Sequence, residues 1–473
     1  MSAGDASQPP QPPQPPQPPR PRPIAELFES VGIPQAVTRF RPRLPSRNWL
    51  IFLSVTGSLL GTYVYDRRQC RLIRDSYKAR VAHLAEEPLA THDLPRKVTV
   101  YTCKSPSDDD YQRSMRFFKK YVKPVLVSAA VDYEIVNGRR YGDLANLIAD
   151  KIKTRRRIAA GLDPEPPNPI PIPMQMTPAQ KLAREAEGGT VVVGRHSFKE
   201  FMHGTRQGWT ESLERVDKEE ELAQELSTDG VFDEHDEDDV AAGEQQDTDA
   251  STPKPFRPPI IPGLLPQVPI TQSKPRKTTI PAELDQPPAV IPQQPPLLLV
   301  PFSNLIGFRN IPWMIADFFN ERKRVRVGCD AAYRLVIAQT RPFDARPGGD
   351  LDFDLKQEEE YLPAFVNLPD EDAKVRKKYY EALAKKITTA RELARGTREP
   401  TKEEHNFPPP TEVELRAERL KKEMRWRADL RGWSILRPGA PPAWDDRFAR
   451  AFSVYTAPKE GDHNAEGKPA DKQ

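Results

Sequence analysis

Trp49 to Tyr65 is a stretch of 17 residues without a charge, held between Arg47 on one side and Asp66-Arg67-Arg68 on the other. No other segment constrains the chain so tightly. As a helix rising about 1.5 Å per residue it covers roughly 25 Å, near the lower limit for a hydrocarbon core of about 30 Å. Trp49 stands at one end and Tyr63 and Tyr65 at the other, ring types that prefer the headgroup level. Arg47, Arg67 and Arg68 can snorkel outward. Residues 47–68 are therefore predicted to form a single N-terminal transmembrane helix. A cleaved secretory signal fits less well, because 48 residues precede the run and a charged triplet closes it. A core helix fits less well because charges crowd both ends.

Ser54, Gly57, Ser58 and Gly61 form a stripe of small residues with a G-x-x-x-G at its centre. Small side chains let two helices approach closely in lipid, where packing replaces the hydrophobic effect. The stripe is predicted to dock on another membrane subunit. Orientation is not readable from charge: Arg39, Arg41 and Arg43 precede the run and Arg71, Arg74 and Lys78 follow it, so the positive-inside rule gives no direction.

The rest of the chain is hydrophilic. Of 473 residues 53 are Pro, about twice average usage. Residues 1–46 hold a QPP repeat and a basic stretch, 162–188 are Pro-rich, and 213–295 pass from an acidic block into Pro-rich sequence. Between Asp217 and Asp249 there are 15 Asp or Glu against one Lys. Such segments bury too little apolar area to offset their ordering entropy and are predicted to be disordered, as is the tail 457–473. A net charge of +3 is too small to argue for nucleic acid. Three distant Cys and seven scattered His supply no disulfide framework and no metal motif, so no cofactor is expected.

Between these inserts the pattern is α/β. Cys70, Ile73, Tyr77, Val81 and Leu84 step at three and four, extending a basic juxtamembrane helix through 69–94. Residues 95–212 read strand, helix, strand, helix, insert, strand, helix: KVTVY, a helix interrupted at Pro124, DYEIVNG, a helix marked by Leu144, Leu147, Ile148 and Ile152, then TVVVG and a helix over about Ser197–His203. That order predicts a parallel sheet in three layers. Residues 296–456 form a second half with long helices. LLLV reads as a strand, CDAAYRLVIAQ as helix or strand, and AFSVYT as a strand returning to the sheet. One helix is expected over Asp370–Ala394, stopped at Gly396. Another opens with the capping box Thr411-x-x-Glu414 and is expected to stop at Gly432, with a thin apolar stripe of Val413, Ala417, Leu420 and Met424. In NLIGFRNIPWMIADFF, the cluster Leu305, Ile306, Phe308, Ile311, Trp313 and Phe318 is expected to fill the core of this half. Exposed instead, it would argue for binding.

A nucleotide site in such a sheet needs glycines where a strand meets a helix, because backbone N–H groups must reach the phosphates. Here that turn is Gly194, Arg195, His196, Ser197 and Phe198, with one glycine. The turn after the first strand, SPSDDD, has three carboxylates, which repel an anion.

PRLPSRNWLIFLSVTGS, LPRKVTVY, FKKYVKPVLVSAAVDYEIVNGRRYGDL, NLIGFRNIPWMIADFFNERKRVRVG and PPTEVELRAERLKKEMRWRADLRGW, in this order, resemble the fungal fifty-four-kilodalton subunit family of the mitochondrial inner-membrane carrier translocase. The resemblance spans most of 40–456 and implies a single-pass inner-membrane protein, its N-terminus in the matrix and its large domain in the intermembrane space. It implies a non-catalytic scaffold for the insertion of multi-pass carriers driven by the membrane potential. The implied partners are channel and accessory subunits, the small intermembrane-space chaperones and, indirectly, carrier precursors. A second resemblance, of KVTVY…VDYEIV and TVVVGRHSFKEFMHG, is to the nucleotide-binding half of diacylglycerol- and sphingosine-type lipid kinases. It implies a lipid-kinase-like fold. That family has G-G-D-G-T where this chain has Gly194 to Phe198, so only the first glycine is kept. Two other readings stay open: a tethered adaptor for proteases or quality-control factors, and an active lipid kinase.

Overall fold

Six short strands form one sheet in the order β2-β1-β3-β4-β6-β5. The computed structural model describes residues 46–88, 95–106, 108–164, 178–233 and 280–457; residues 1–45 and 458–473 of the tails, and 165–177 and 234–279 of the two inserts predicted as disordered, lie outside these residues. The chain divides into two units, Met1–Val64 and Tyr65–Gln473.

In the first unit the described residues are helical from Arg47, where α1 (Arg47–Val81) begins. Its apolar side chains are exposed, Trp49, Phe52 and Leu60 among them. Ser54, Thr56 and Thr62 donate their hydroxyls to the carbonyls of Ile51, Phe52 and Leu59, each at 2.8 Å. A Cβ placed on Gly57 or Gly61 would meet nothing within 4 Å. The predicted helix is present. Among the described residues, however, no helix is long and apolar enough to cross a membrane: six Gly, Ser and Thr residues dilute the apolar run.

In the second unit, β1 (Lys97–Cys103) leads into α2 (Arg113–Phe117), a π-turn (Phe118–Val122) and α3 (Lys123–Ser128). Pro124 cannot donate to the helix ladder, and the ring of a mid-helix proline crowds the carbonyl four residues back. The ladder widens, and Lys123 N–H reaches Phe118 O. β2 (Asp132–Gly138), α4 (Asp143–Ala159), α5 (Pro178–Gly188), β3 (Thr190–Val193) and α6 (Gly194–Thr210) follow. Next come α7 (Lys218–Ser227), α8 (Ala282–Asp285), β4 (Leu297–Val300), α9 (Ile311–Phe319), α10 (Glu321–Ile337) and β5 (Thr340–Pro342). The chain closes with α11 (Gln357–Arg395), α12 (Lys402–Asn406), α13 (Glu412–Leu436) and β6 (Ser453–Tyr455).

β2, β1, β3, β4 and β6 run parallel, with Val100 opposite both Ile135 and Val191, and Leu298 opposite Val191; β5 joins β6 antiparallel. The sheet thus takes β4, β5 and β6 from beyond residue 296. Both faces are covered. Val98, Val100, Val191, Leu298 and Val300 meet Phe118, Val122 and Leu126 on one side, with Val325 and Leu335 of α10 and Cys70 and Val81 of α1. Tyr101, Val192 and Leu297 meet Ile148, Phe198, Met202 and Phe448 on the other. Each fully buried aliphatic side chain contributes about 1.5–3 kcal/mol over an exposed one. The juxtamembrane stripe is seated on the first of these cores through Ile73, Tyr77 and Leu84, but the α-helix predicted through residue 94 ends at Val81, and Leu84 lies in a 3-10 turn, Ala82–Glu86.

Several expectations are corrected. Three pieces of the predicted disordered inserts are helical, α5, α7 and the four-residue α8. In α7 the Asp217 carboxylate accepts from Glu219 N–H and Glu220 N–H, and three Glu in its first turn suit the positive end of the helix dipole. Residues 329–337, left open between helix and strand, belong to α10. α6 is longer than Ser197–His203 because Gly204 and Gly208 are helical, leaving room for Ala145 and Ile152 of α4. α11 starts at Gln357, well before Asp370, and ends at Gly396 as expected. α13 opens with the predicted capping box, but Gly432 does not stop it. A Cβ there would lie 2.2 Å from the backbone of Tyr141, so this glycine permits a close approach. Nor is the buried side of α13 the apolar stripe: Val413 and Ala417 are exposed, and Leu415, Arg419, Glu423 and Leu436 are buried. Tyr380 Oη donates to Glu423 at 2.5 Å and Arg376 Nη2 lies 3.0 Å from it, while Arg419 pairs with Asp229. The cluster expected in the core is also turned outward. Phe308 is 91% exposed and Trp313 67%, and α9 buries no residue.

Candidate functional site

Open α/β sheets bind ligands outside the carboxyl ends of their strands. In this sheet that place lies where β3 passes into α6, at the turn predicted from the second resemblance. Gly194 takes φ +81°, and a Cβ on it would lie 2.7 Å from the His196 ring. Gly194, Arg195, His196, Ser197 and Phe198 come together in the first turn of α6, and all five are buried.

The ligand space is filled by the chain itself. Arg195 N–H, a donor that would otherwise face a phosphate, gives its hydrogen bond to Gln357 Oε1 at 2.6 Å. The Arg195 guanidinium donates to Glu358 Oε1 at 2.7 Å and to the carbonyls of Leu351 and Phe353. Lys199 Nζ sits 2.6 Å from the same Glu358 oxygen and donates to Arg437 O at 2.9 Å. Gly439 N–H donates to the other Glu358 oxygen at 2.8 Å. Burial alone would raise the Glu358 carboxyl, but the hydrogen bonds from Lys199, Gly439 and Arg195 outweigh it and hold it below its usual range. Two cations, one carboxylate and three carbonyls thus satisfy one another. Phe198 packs edge-on to Phe353, with ring centres 5.9 Å apart.

Three neighbours complete the site. Ser197 Oγ accepts from Cys103 N–H at 3.1 Å, and burial raises the Cys103 thiol well above its ordinary value. Burial pushes His196 down to about 4, against hydrogen bonding with the Gln357 side chain and the Cys103 backbone that favours its cation. Glu200 accepts from Gly142 N–H and Leu144 N–H at 3.0 and 3.1 Å, capping α4, while burial pushes its carboxyl up to about 7. Phosphoryl transfer needs free backbone donors and a developing charge to stabilise. Here the Arg195 N–H and the charges of Arg195, Lys199 and Glu358 are already matched inside the chain.

A second cluster was not foreseen. Asp66, the first charge after the apolar run, is 2% exposed. Its carboxylate accepts from Glu321 N–H at 3.1 Å and Arg322 N–H at 3.4 Å, capping α10 from another element. Glu321 is buried as well; it pairs with Arg67 and Lys120 and accepts from Tyr121 Oη at 2.8 Å. The Arg67 guanidinium lies 5.5 Å from the centre of the Phe318 ring. A lone acid among Arg47, Arg67, Arg68, Arg71 and Arg74 was the available signal; its partners are some 255 positions away. The small-residue stripe Ser54, Gly57, Ser58 and Gly61 belongs to the first unit. Among the described residues no group of three or more His, Cys, Asp or Glu could hold a metal.

The model of the family described as inner membrane protein import complex subunit Tim54 matches residues 25–398. The chain is 38% identical over 433 residues to a mitochondrial import inner membrane translocase subunit TIM54 of Cryptococcus neoformans, covering 91% of this chain and 93% of that one. It is 30% identical to the Aspergillus oryzae protein of that name over 64% of this chain and 68% of that one. To the Saccharomyces cerevisiae protein it is 26% identical, over 70% and 85%.

Proposed function

The chain belongs to the Tim54 family of inner membrane protein import complex subunits, and from that premise we propose that it is a non-catalytic assembly subunit of the mitochondrial translocase that inserts multi-pass carriers. The observation that carries the non-catalytic part is the closed turn at Gly194, in which the Arg195 N–H is taken by Gln357 and the cations of Arg195 and Lys199 are neutralised by Glu358. A nucleotide titration of the full chain in detergent tests it. Binding of ATP is expected to be absent, and saturable binding at micromolar ATP would overturn the reading.

The proposed anchor is residues 47–68, a single pass with the N-terminus in the matrix and the sheet domain in the intermembrane space. The run is interrupted by hydroxyls, but Ser54, Thr56 and Thr62 already bond carbonyls of their own helix. Burial of these three hydroxyls in lipid therefore orphans none of them. The uncharged run and its Trp and Tyr ends support the span. The face of Ser54, Gly57, Ser58 and Gly61 would pack on a channel or accessory subunit. The sheet domain would meet the small chaperones that deliver carrier precursors, and so contact the precursors only indirectly. Alkaline extraction with protease protection of isolated mitochondria checks the topology. The protein should stay in the pellet, and its large domain should be cut once the outer membrane is opened. Release into the supernatant would remove the anchor.

A further inference from the structure

We infer that α9, with Phe308 before it, lies in the lipid headgroup layer as a membrane contact additional to the proposed anchor. A helix that is apolar all round belongs in a protein core or in lipid, and α9 buries none of its residues against the protein. Phe308, Ile311, Trp313, Met314, Ile315 and Phe318 are all exposed. At nine residues it is too short to span and suits a position along the interface.

Three observations favour lipid over a protein partner. First, α9 runs directly into the Glu321 and Arg322 N–H groups that Asp66 holds. Asp66 follows Tyr65, where the uncharged run ends, so α9 is tied to the depth at which that run would leave the hydrocarbon. Second, the flanks are basic: between Ile306 and Arg326 there are five Arg or Lys against two acids. Asp317 pairs with Arg324, and Glu321 with Arg67 and Lys120. Arg309, Lys323 and Arg326 are exposed and available to anionic headgroups. Third, Trp313 is the ring type that favours the headgroup level.

The inference rests on the anchor reading, and the test separates the two. The full chain carries an environment-sensitive fluorophore on Ile315→Cys or, in a second variant, on Leu59→Cys; the three native cysteines are buried. Each is reconstituted alone into phosphatidylcholine vesicles containing cardiolipin. The Ile315 label should shift to the blue, lose most of its emission to lipids brominated near the headgroup, and be shielded from iodide. An Ile315 label open to iodide while the Leu59 label is shielded overturns the inference and leaves the anchor standing. Both labels open to iodide overturns both. An Ile315 label shielded only after other translocase subunits are added assigns α9 to a protein partner and overturns the lipid contact. Arg309→Glu with Lys323→Glu should weaken the quenching in cardiolipin vesicles; unchanged quenching would remove the electrostatic part of the inference.

Discussion

The first turn of α6 and the whole of α9 invert the ordinary rule of burial. In α6, Arg195, His196, Lys199 and Glu200 are each 2% exposed or less. In α9 and its approach, Phe308 and Trp313 are more than half exposed. Charged groups go inside only where every one is matched, and large apolar groups stay outside only where something else covers them. The contrast teaches where to look for function in this chain. The strand-end cleft that a nucleotide enzyme keeps open is filled here by the chain's own side chains, and the surface that remains unsatisfied is apolar.

The largest expected effect breaks the matched side of this comparison. Glu358→Ala leaves Arg195 and Lys199 buried without their carboxylate, and loss of one partner of a buried ion pair costs about 3–5 kcal/mol. Urea unfolding of the full chain in detergent, followed through the folded domain, measures it. Replacing Arg195, Lys199 and Glu358 together by apolar residues of similar volume should cost far less. If the single and triple variants are equally unstable, charge matching is not what holds the cleft shut.

A pH series sharpens the same side. His196 sits near 4 in the fold against 6.5 for the free side chain, so the folded state binds fewer protons than the unfolded one. Its contribution to stability is present above pH 6.5 and is lost as pH falls toward 4. Glu200 sits near 7 against 4.5. Its contribution is present below pH 4.5 and is lost as pH rises toward 7. Between pH 4.5 and 6.5 the two slopes oppose each other, each worth about 2–3 kcal/mol. Relative to wild type, Glu200→Gln should make stability fall more steeply on acidification. His196→Phe should make it fall more steeply on the way up. Identical profiles for all three proteins would mean that neither group is held as described.

These two sites also mark what the sequence made legible. The stripe from Cys70 to Leu84, the strands KVTVY and TVVVG and the capping box at Thr411 are local signals, because periodicity and cap chemistry act over a few residues. AFSVYT could be read as a returning strand, since a short alternating run near the end of an α/β pattern has few other uses. The single glycine of the turn at Gly194 was legible, but the sealing of that turn was not. Gln357 and Glu358 approach it from more than 150 positions away. Gly432 shows the same limit. A glycine near a helix end suggests a stop, and only the backbone of Tyr141 pressed against it reveals a contact. The charged buried side of α13 was illegible because Arg419 and Glu423 look solvated until Asp229, Arg376 and Tyr380 are placed beside them. The outward turn of α9 was missed because large apolar residues are mostly buried, and that average rests on proteins that face only water.

The smallest expected effect is the one that tests the other side of the comparison. Trp313→Ser removes a large ring that makes little use of the protein interior, so unfolding of the full chain in detergent should move by no more than about 0.5 kcal/mol, as for other surface positions. The same substitution in α6, Phe198→Ser, removes a fully buried ring and should cost several-fold more. The two together ask whether exposure at α9 belongs to the fold. Were Trp313→Ser as damaging as Phe198→Ser, the ring would have to be packed against protein in solution, and the apolar surface beside Asp66 would be part of the core after all. A near-zero effect on unfolding, set beside a loss of lipid quenching in vesicles, would place the contribution of Trp313 wholly in what lies outside the chain.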